Sequence, residues 1–198
     1  MQSLPHDGGM LAVFAAPAQV TETISSYPDD LSIAAVNGPA SVVVSGRLTT
    51  LREVQAQFEG AGLTTRPLRV SHDFHSPMMQ PILDEFEQIA ASISYAAPRL
   101  PVVSNLTGQI YSATEPLTAA DWRRHLREAV QFNAGMQTLA AQGCNFFLEL
   151  GPAPALTGMG RRCLPDHKAA WAASLTPDQD DWRGLLAALG ALYQNGIS

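Results

Sequence analysis

Apolar residues in the first 70 positions of the chain recur at two spacings, one typical of strands and the other of helices. Short β-rich runs predict four strands, at residues 10–15, 31–36, 41–45 and 63–70. Apolar residues three or four positions apart predict two helices, one beginning at Pro17 and one over residues 49–61. The order strand, helix, strand, strand, helix, strand (βαββαβ) is that of a ferredoxin-like unit.

Longer helices and single apolar strands follow residue 70. Apolar residues at helical spacing predict a helix from Pro77 to Ile93, and the apolar run over residues 144–150 is typical of a strand buried in a parallel sheet. We therefore predict an α/β fold with a ferredoxin-like small subdomain over residues 1–70 and a larger subdomain over residues 71–198. Further predicted elements are helices capped by Thr118 and Asn133, strands at residues 100–104 and 169–174, a short helix ending at Arg162 and a last helix over residues 182–193.

Composition narrows the classes of partner. A formal net charge of −6 at pH 7 argues against nucleic acid and anionic membrane, because phosphate binding requires a basic face. No apolar run approaches the roughly 20 residues of a membrane span, and the N-terminus has no signal-peptide pattern, so we expect a cytoplasmic protein. Cys144 and Cys163 lack metal-type spacing, which predicts small buried thiols in a reducing compartment.

The densest group of reactive side chains lies in the segment 70–79, which reads as a strand end, a loop and a helix start. It contains the imidazoles of His72 and His75, the carboxylate of Asp73 and the hydroxyl of Ser76. A strand-to-helix turn suits such groups, because the strand fixes them while the loop leaves them accessible. A metal site is one interpretation, but the spacing matches no common zinc pattern and the sequence offers no further ligands nearby. Accordingly, no metal is predicted.

Two serines in this segment, Ser71 and Ser76, are candidate nucleophiles. Neither lies in a nucleophile elbow, and Ser76 is better placed to cap the helix that starts at Pro77. Glu149 is a candidate catalytic acid, although tying down the adjacent Gly151-Pro152 turn by hydrogen bonds is the simpler role.

Six segments, in order along the chain, carry a resemblance to one family. They are Gly9-Met10-Leu11-Ala12-Val13, Asn37-Gly38-Pro39 with Ser41-Val42-Val43-Val44-Ser45-Gly46, Val70 to Pro77, Pro101-Val102-Val103-Ser104-Asn105, Trp122 with His125-Leu126-Arg127, and Phe147-Leu148-Glu149-Leu150-Gly151-Pro152. Together they resemble the acyltransferase domains of modular type I polyketide synthases, relatives of malonyl-CoA:acyl carrier protein transacylase. The resemblance covers essentially the whole chain. It implies that residues 71–198 form the C-terminal part of an α/β-hydrolase-like large subdomain.

The resemblance implies transfer of a malonyl group from coenzyme A to the phosphopantetheine arm of an acyl carrier protein, through an acyl-serine intermediate. It implies no metal or redox cofactor. The family's general base falls on His75, and a backbone carbonyl near the Val-Gln-Phe segment, closest to Gln131, is expected to orient its ring. Met10 is implied as a substrate-binding residue. Asn105 is implied as another, although an ordinary turn role is an equal interpretation.

The motif His72-Asp73-Phe74-His75 implies a choice of substrate. The family pattern His-Ala-Phe-His accompanies malonyl, whereas Tyr-Ala-Ser-His accompanies methylmalonyl. Phe74 leaves less room for a substrate α-methyl than serine would, and His72 is implied as a further binding residue. A single methyl group is worth only about 1 to 3 kcal/mol of discrimination. The aspartate at position 73, where the pattern has alanine, is unexplained by the resemblance.

The chain departs from the family in one important respect, because it contains no Gly-x-Ser-x-Gly nucleophile elbow. The family's arginine clamp for the malonyl carboxylate would fall immediately upstream of Met1. We therefore expect a C-terminal portion that supplies the base without the serine, either excised from such a domain or completed by a separate N-terminal half or another copy of the chain. The isolated chain is then expected to be inactive. The alternative function is a non-catalytic scaffold or carrier-protein docking fragment.

Overall fold

A four-stranded antiparallel sheet organises the first part of the protein. The computed structural model describes residues 7–70, 73–112 and 114–197. The chain divides into two compact units, a first unit up to residue 135 and a second unit from residue 136. The strands are β1 (Gly8–Val13), β2 (Leu31–Gly38), β3 (Ser41–Arg47) and β4 (Thr65–Leu68), in the spatial order β2-β3-β1-β4. The helices α1 (Pro17–Ile24) and α2 (Leu48–Gly60) complete the βαββαβ element order, with bounds within two residues of those predicted. The subdivision predicted at residue 70 stays a prediction.

The two faces of this sheet have different roles. Alternate residues point to opposite faces, so Leu11 and Val13 pack with α1 and α2 in the core. Phe58 of α2 lies at the centre of this core and is 1% exposed. The other face carries a registered row in which Ser32 pairs with Ser45, Ser45 with Met10 and Met10 with Leu68. Residues beyond β4 pack near this second face.

The segment after β4 differs from the single long helix that we predicted. A 3₁₀ helix (Pro77–Ile82) precedes α3 (Leu83–Ala91), because Pro81 has no N–H to donate to an α-helical hydrogen bond. The predicted Ser76 cap is confirmed: its Oγ accepts a hydrogen bond from the N–H of Met78 at 3.2 Å. Met79, Ile82, Leu83 and Leu126 form a second hydrophobic cluster.

The remaining predicted caps and strands of the first unit are partly correct. The helix α4 (Ala119–Arg127) begins with a capping box between Thr118 and Asp121, which confirms Thr118 as its cap. The strand predicted over residues 100–104 is wrong, since only Val103 forms an isolated bridge, to Ile110. Prolines at positions 98 and 101 remove donors that a strand there would need.

The second unit contains a small parallel sheet. The strands β5 (Phe146–Glu149) and β6 (Ala170–Ala173) pair in parallel, and α6 (Ala155–Cys163) and α7 (Asp181–Gln194) accompany them. The preceding α5 (Phe132–Ala141) begins before Asn133, so the predicted Asn133 cap is wrong. Within the described ranges, no helix is both long enough and apolar enough to cross a membrane.

Candidate active site

His75 is held in an unusual backbone conformation. Its φ of 60° lies in the left-handed region, which costs a non-glycine residue roughly 1 to 3 kcal/mol and persists only where surrounding contacts enforce it. Its N–H donates to the carbonyl of Leu126 at 3.2 Å, and its own carbonyl accepts the hydroxyl of Ser32 at 2.6 Å. Both backbone polar groups of His75 are therefore fixed by residues distant in sequence.

The His75 ring is oriented by a second backbone group. Its Nδ1 lies 2.7 Å from the carbonyl oxygen of Glu128. A carbonyl can only accept, so Nδ1 carries the proton in this contact and Nε2 of the neutral imidazole is the proton acceptor. The arrangement anchors Nδ1 and makes Nε2 the basic nitrogen of the neutral ring.

The carbonyl that orients His75 is a correction to the sequence analysis, which assigned it to Gln131. The helix α4 ends at Arg127, and Glu128 then adopts an extended conformation that presents its carbonyl to the imidazole. Val130 next pairs with Ala35 of β2. Gln131 instead donates its N–H to the carbonyl of Asn105 at 2.7 Å.

Glu128 is itself fixed at the end of α4. Its carboxylate accepts two hydrogen bonds from the guanidinium of Arg124, at 2.8 and 3.0 Å. These hydrogen bonds hold the pKa of Glu128 below its usual value. The bidentate contact restrains the residue whose carbonyl binds His75.

The environment of His75 favours its neutral form. Partial burial lowers its pKa below the ordinary value of 6.5, because desolvation disfavours the charged ring. The Glu128 carbonyl acts in the opposite direction; the charge of the nearby His125 lowers the pKa of His75, and a hydrogen bond to the His125 backbone raises it. The ring of His125 meets that of His75 edge-on at 6.0 Å between centroids. At neutral pH the imidazole is therefore mainly unprotonated, as a general base requires.

A mostly apolar cleft of about 150 Å³ is lined in part by His125, and His75 is not one of its lining residues. The ring of His125 also meets the ring of Trp122 edge-on, at 6.1 Å between centroids. Asn105 lies in the cleft wall, and its role in substrate binding stays a prediction. The cleft is lined by Val102, Val103, Asn105, Tyr111, Leu117, Asp121, Trp122 and His125.

The other predicted site residues are Phe74, Met10 and His72. Phe74 packs against the second hydrophobic cluster, so its ring is held in place. Met10 lies on the sheet face that carries Ser32, two strands away, which is roughly 10 Å by ordinary strand spacing. His72 lies outside the described residues. Among those described, no group of three or more His, Cys, Asp or Glu side chains is placed to hold a metal ion.

Sequence reasoning missed three contributors: Ser32, Glu128 and His125. Glu128 contributes a backbone carbonyl, for which no side chain gives a signal. Ser32 had one available signal, a hydroxyl on the face of β2 opposite the helices. Glu149 accepts the N–H groups of Leu156 and Thr157 at the start of α6, whereas the N–H of Gly151 in the adjacent turn donates to Ser174 Oγ. The role of Glu149 is structural, but its partners differ from the turn predicted above.

Comparison with known proteins identifies the family. The sequence pattern of the acyl transferase domain family matches residues 1–198. The chain belongs to the acyl transferase domain family. It is 42% identical over 197 residues to the polyketide synthase GfsA of Streptomyces halstedii, covering 99% of this chain and 3% of that protein. It is 39% identical over 197 residues to mycoketide-CoA synthase of Mycobacterium tuberculosis, covering 100% of this chain and 5% of that protein.

Solved acyltransferase domains share the fold. The acyltransferase domain from the second module of the salinomycin polyketide synthase superimposes with a TM-score of 0.95 at 40% identity, over 100% of this chain and 46% of that one. A malonyl CoA-acyl carrier protein transacylase from Clostridium perfringens gives 0.84 at 26% identity, over 96% of this chain and 58% of that one. The predicted α/β fold and the resemblance to polyketide synthase acyltransferase domains are confirmed. The chain spans about half the length of the solved domains that it matches.

Proposed function

We propose that this chain supplies the general base of a polyketide synthase acyltransferase, which loads a malonyl unit from coenzyme A onto an acyl carrier protein. The observation that carries the proposal is the contact between His75 Nδ1 and the Glu128 carbonyl, which leaves Nε2 to accept a proton. Membership of the acyl transferase domain family supports the reaction class.

The proposed reaction has two balanced half-reactions. In the first, His75 Nε2 takes the hydroxyl proton of a serine as its oxygen attacks the malonyl thioester, and returns that proton to the departing coenzyme A thiolate. In the second, His75 takes the proton of the phosphopantetheine thiol as its sulfur attacks the acyl-serine, and returns it to the serine oxygen. The Glu128 carbonyl favours both steps because it stabilises the imidazolium that forms. No metal or redox cofactor takes part.

The serine in this mechanism comes from acyltransferase residues outside these 198, because the sequence contains no nucleophile elbow. The chain would then contribute a ferredoxin-like subdomain, whose βαββαβ order and β2-β3-β1-β4 sheet support the assignment, and the C-terminal part of the large subdomain. The isolated chain is expected to be inactive.

Apolar surface on the second unit supports a polypeptide partner. The helix α7 exposes five large apolar side chains, and exposed contiguous apolar surface is typical of protein interfaces. Burial of this surface by the remaining half of an acyltransferase fold, in the same polypeptide or another, would remove it from water. The exposed residues are Trp182, Leu185, Leu186, Leu189 and Tyr193.

We assign the choice between malonyl and methylmalonyl to Phe74 and its surroundings. Its packing against the second hydrophobic cluster supports a fixed wall that disfavours an α-methyl group, so malonyl is the preferred acyl unit. Met10, His72 and Asn105 are proposed as further substrate contacts.

Intact mass after incubation with malonyl-CoA tests the assignment. We expect no adduct on this chain alone. After addition of the elbow-containing region of a homologous acyltransferase domain, we expect a malonyl adduct on that region and its transfer to an acyl carrier protein. A stable adduct on this chain alone would contradict the proposal that this chain supplies the base and another region supplies the serine. Carrier-protein binding without any adduct in the mixture would favour the docking-fragment alternative.

A further inference from the structure

Asp73 and Ser76 bracket the two residues at the tip of the loop, Phe74 and His75. Asp73 and Ser76 are buried, with 1% and 0% of their surfaces exposed. The Ser76 hydroxyl donates to Asp73 Oδ2 at 3.1 Å. One side-chain hydrogen bond therefore ties together the two ends of the turn that contains the left-handed His75.

The position of the Asp73 carboxylate is defined by the sheet. Gly8 of β1 lies directly against it, and a Cβ at position 8 would collide with the Asp73 carboxyl group. A carboxylate is costly to bury, so an aspartate seated against the sheet backbone requires a compensating interaction. The Ser76 hydroxyl provides one, and the charge of Arg47 interacts with that of Asp73 as well.

The same hydroxyl links Asp73 to the helix that follows. Because Ser76 donates its proton to Asp73, its oxygen is oriented to accept the N–H of Met78 at 3.2 Å. The Asp73 carboxylate thus fixes both the end of the turn and the first turn of the 3₁₀ helix (Pro77–Ile82). Loss of the carboxylate would leave a buried hydroxyl proton without this acceptor.

We propose that Asp73 is a positioning residue of the acyl-transfer site, which holds His75 in its left-handed conformation by accepting the hydrogen bond from Ser76. The inference rests on the proposed function of His75. The resembling family pattern has alanine at position 73, so the hydrogen bond from Ser76 to Asp73 is a feature of the motif in this chain. Asp73 acts through the loop and does not touch the reacting atoms.

The test compares Asp73→Ala with Asp73→Asn in the complemented acyltransferase. Alanine removes the acceptor, whereas the asparagine side-chain oxygen can still accept from Ser76. We expect Asp73→Ala to lower kcat by about 10-fold to 100-fold with KM for malonyl-CoA unchanged, because the base is displaced. We expect Asp73→Asn to restore most of kcat, and Asp29→Ala, at an exposed aspartate, to match the parent protein.

A direct readout of the base accompanies the kinetics. Nitrogen NMR of His75 in this chain is expected to show loss of the Nδ1 proton state in Asp73→Ala and its retention in Asp73→Asn. If Asp73→Ala does not fold, Ser76→Ala removes the same hydrogen bond from its donor end and is expected to lower kcat similarly. The inference would be overturned if folded Asp73→Ala or Ser76→Ala had the kcat of the parent protein. It would also be overturned if Asp73→Asn lowered kcat as much as Asp73→Ala. If His75→Ala also leaves transfer unchanged, the proposed function fails instead.

Discussion

Replacing His75 with alanine is expected to lower acyl transfer by the complemented enzyme by about 10²-fold to 10⁴-fold, the usual worth of a positioned general base. The large effect follows from the role of Nε2 as the basic nitrogen of a ring whose Nδ1 is anchored on the Glu128 carbonyl. Single-turnover transfer from malonyl-CoA to an acyl carrier protein measures it. His167→Ala is the matched control, because this imidazole binds the Cys144 carbonyl in the second unit. Equal rates in the two variants would remove His75 from the mechanism.

The pH dependence of the same reaction follows from the lowered pKa of His75. The neutral ring is the active form, so kcat/KM should fall as pH drops through the pKa of His75. Since burial sets that pKa below 6.5, the acid limb should lie below this value. The limb should be absent from the residual activity of His75→Ala. An acid limb centred above 6.5 would contradict the assignment of a desolvated, neutral base.

The second large expected effect concerns the core beneath the sheet. Phe58→Ala should lower the free energy of unfolding of the first unit by about 3 to 5 kcal/mol, because the ring is 1% exposed and its removal leaves a cavity. Urea unfolding followed by circular dichroism gives the change from the midpoint and slope.

The matched control removes the same side chain from the surface. Phe14 is 44% exposed, and its backbone N–H bond to the Thr64 carbonyl does not depend on the ring. Phe14→Ala should therefore change the free energy of unfolding by much less than Phe58→Ala. Similar losses in the two variants would contradict the placement of the core between the sheet and its two helices.

The first 70 residues were the most predictable from sequence, for a physical reason. Runs rich in β-forming residues mark β1 and β3, whose residues are mostly buried, and apolar residues three or four positions apart mark α1 and α2. Local hydrogen bonds were also predictable, since Ser76 and Thr118 cap helices with their own side chains.

Long-range and backbone contacts were not predictable. The Ser32 hydroxyl meets the His75 carbonyl across 43 positions of sequence, and no local pattern specifies that distance. The carbonyl that orients the His75 ring was predicted at Gln131 and belongs to Glu128, three residues earlier. Every residue has a carbonyl, and the position at which α4 ends determines which one faces His75. The strand predicted over residues 100–104 is wrong because the prediction relied on apolar content. It gave too little importance to Pro98, just before the segment, and Pro101, within it.

Three parts of the first unit converge on His75. The sheet contributes the Ser32 hydroxyl, the last turn of α4 contributes the Leu126 carbonyl, and the extended residue after it contributes the Glu128 carbonyl. Each contact fixes a different atom of His75, which explains how a left-handed histidine is maintained. Such over-determination suits the general-base role proposed for His75.

Nitrogen NMR of histidine-labelled chain at neutral pH tests this geometry most directly, with the His75 resonances identified by their loss in His75→Gln. A proton on Nδ1 and an unprotonated Nε2 is the result predicted by the contact with Glu128. A neutral His75 with its proton on Nε2 would contradict the central claim, because Nε2 of such a ring could not take the proton of a serine.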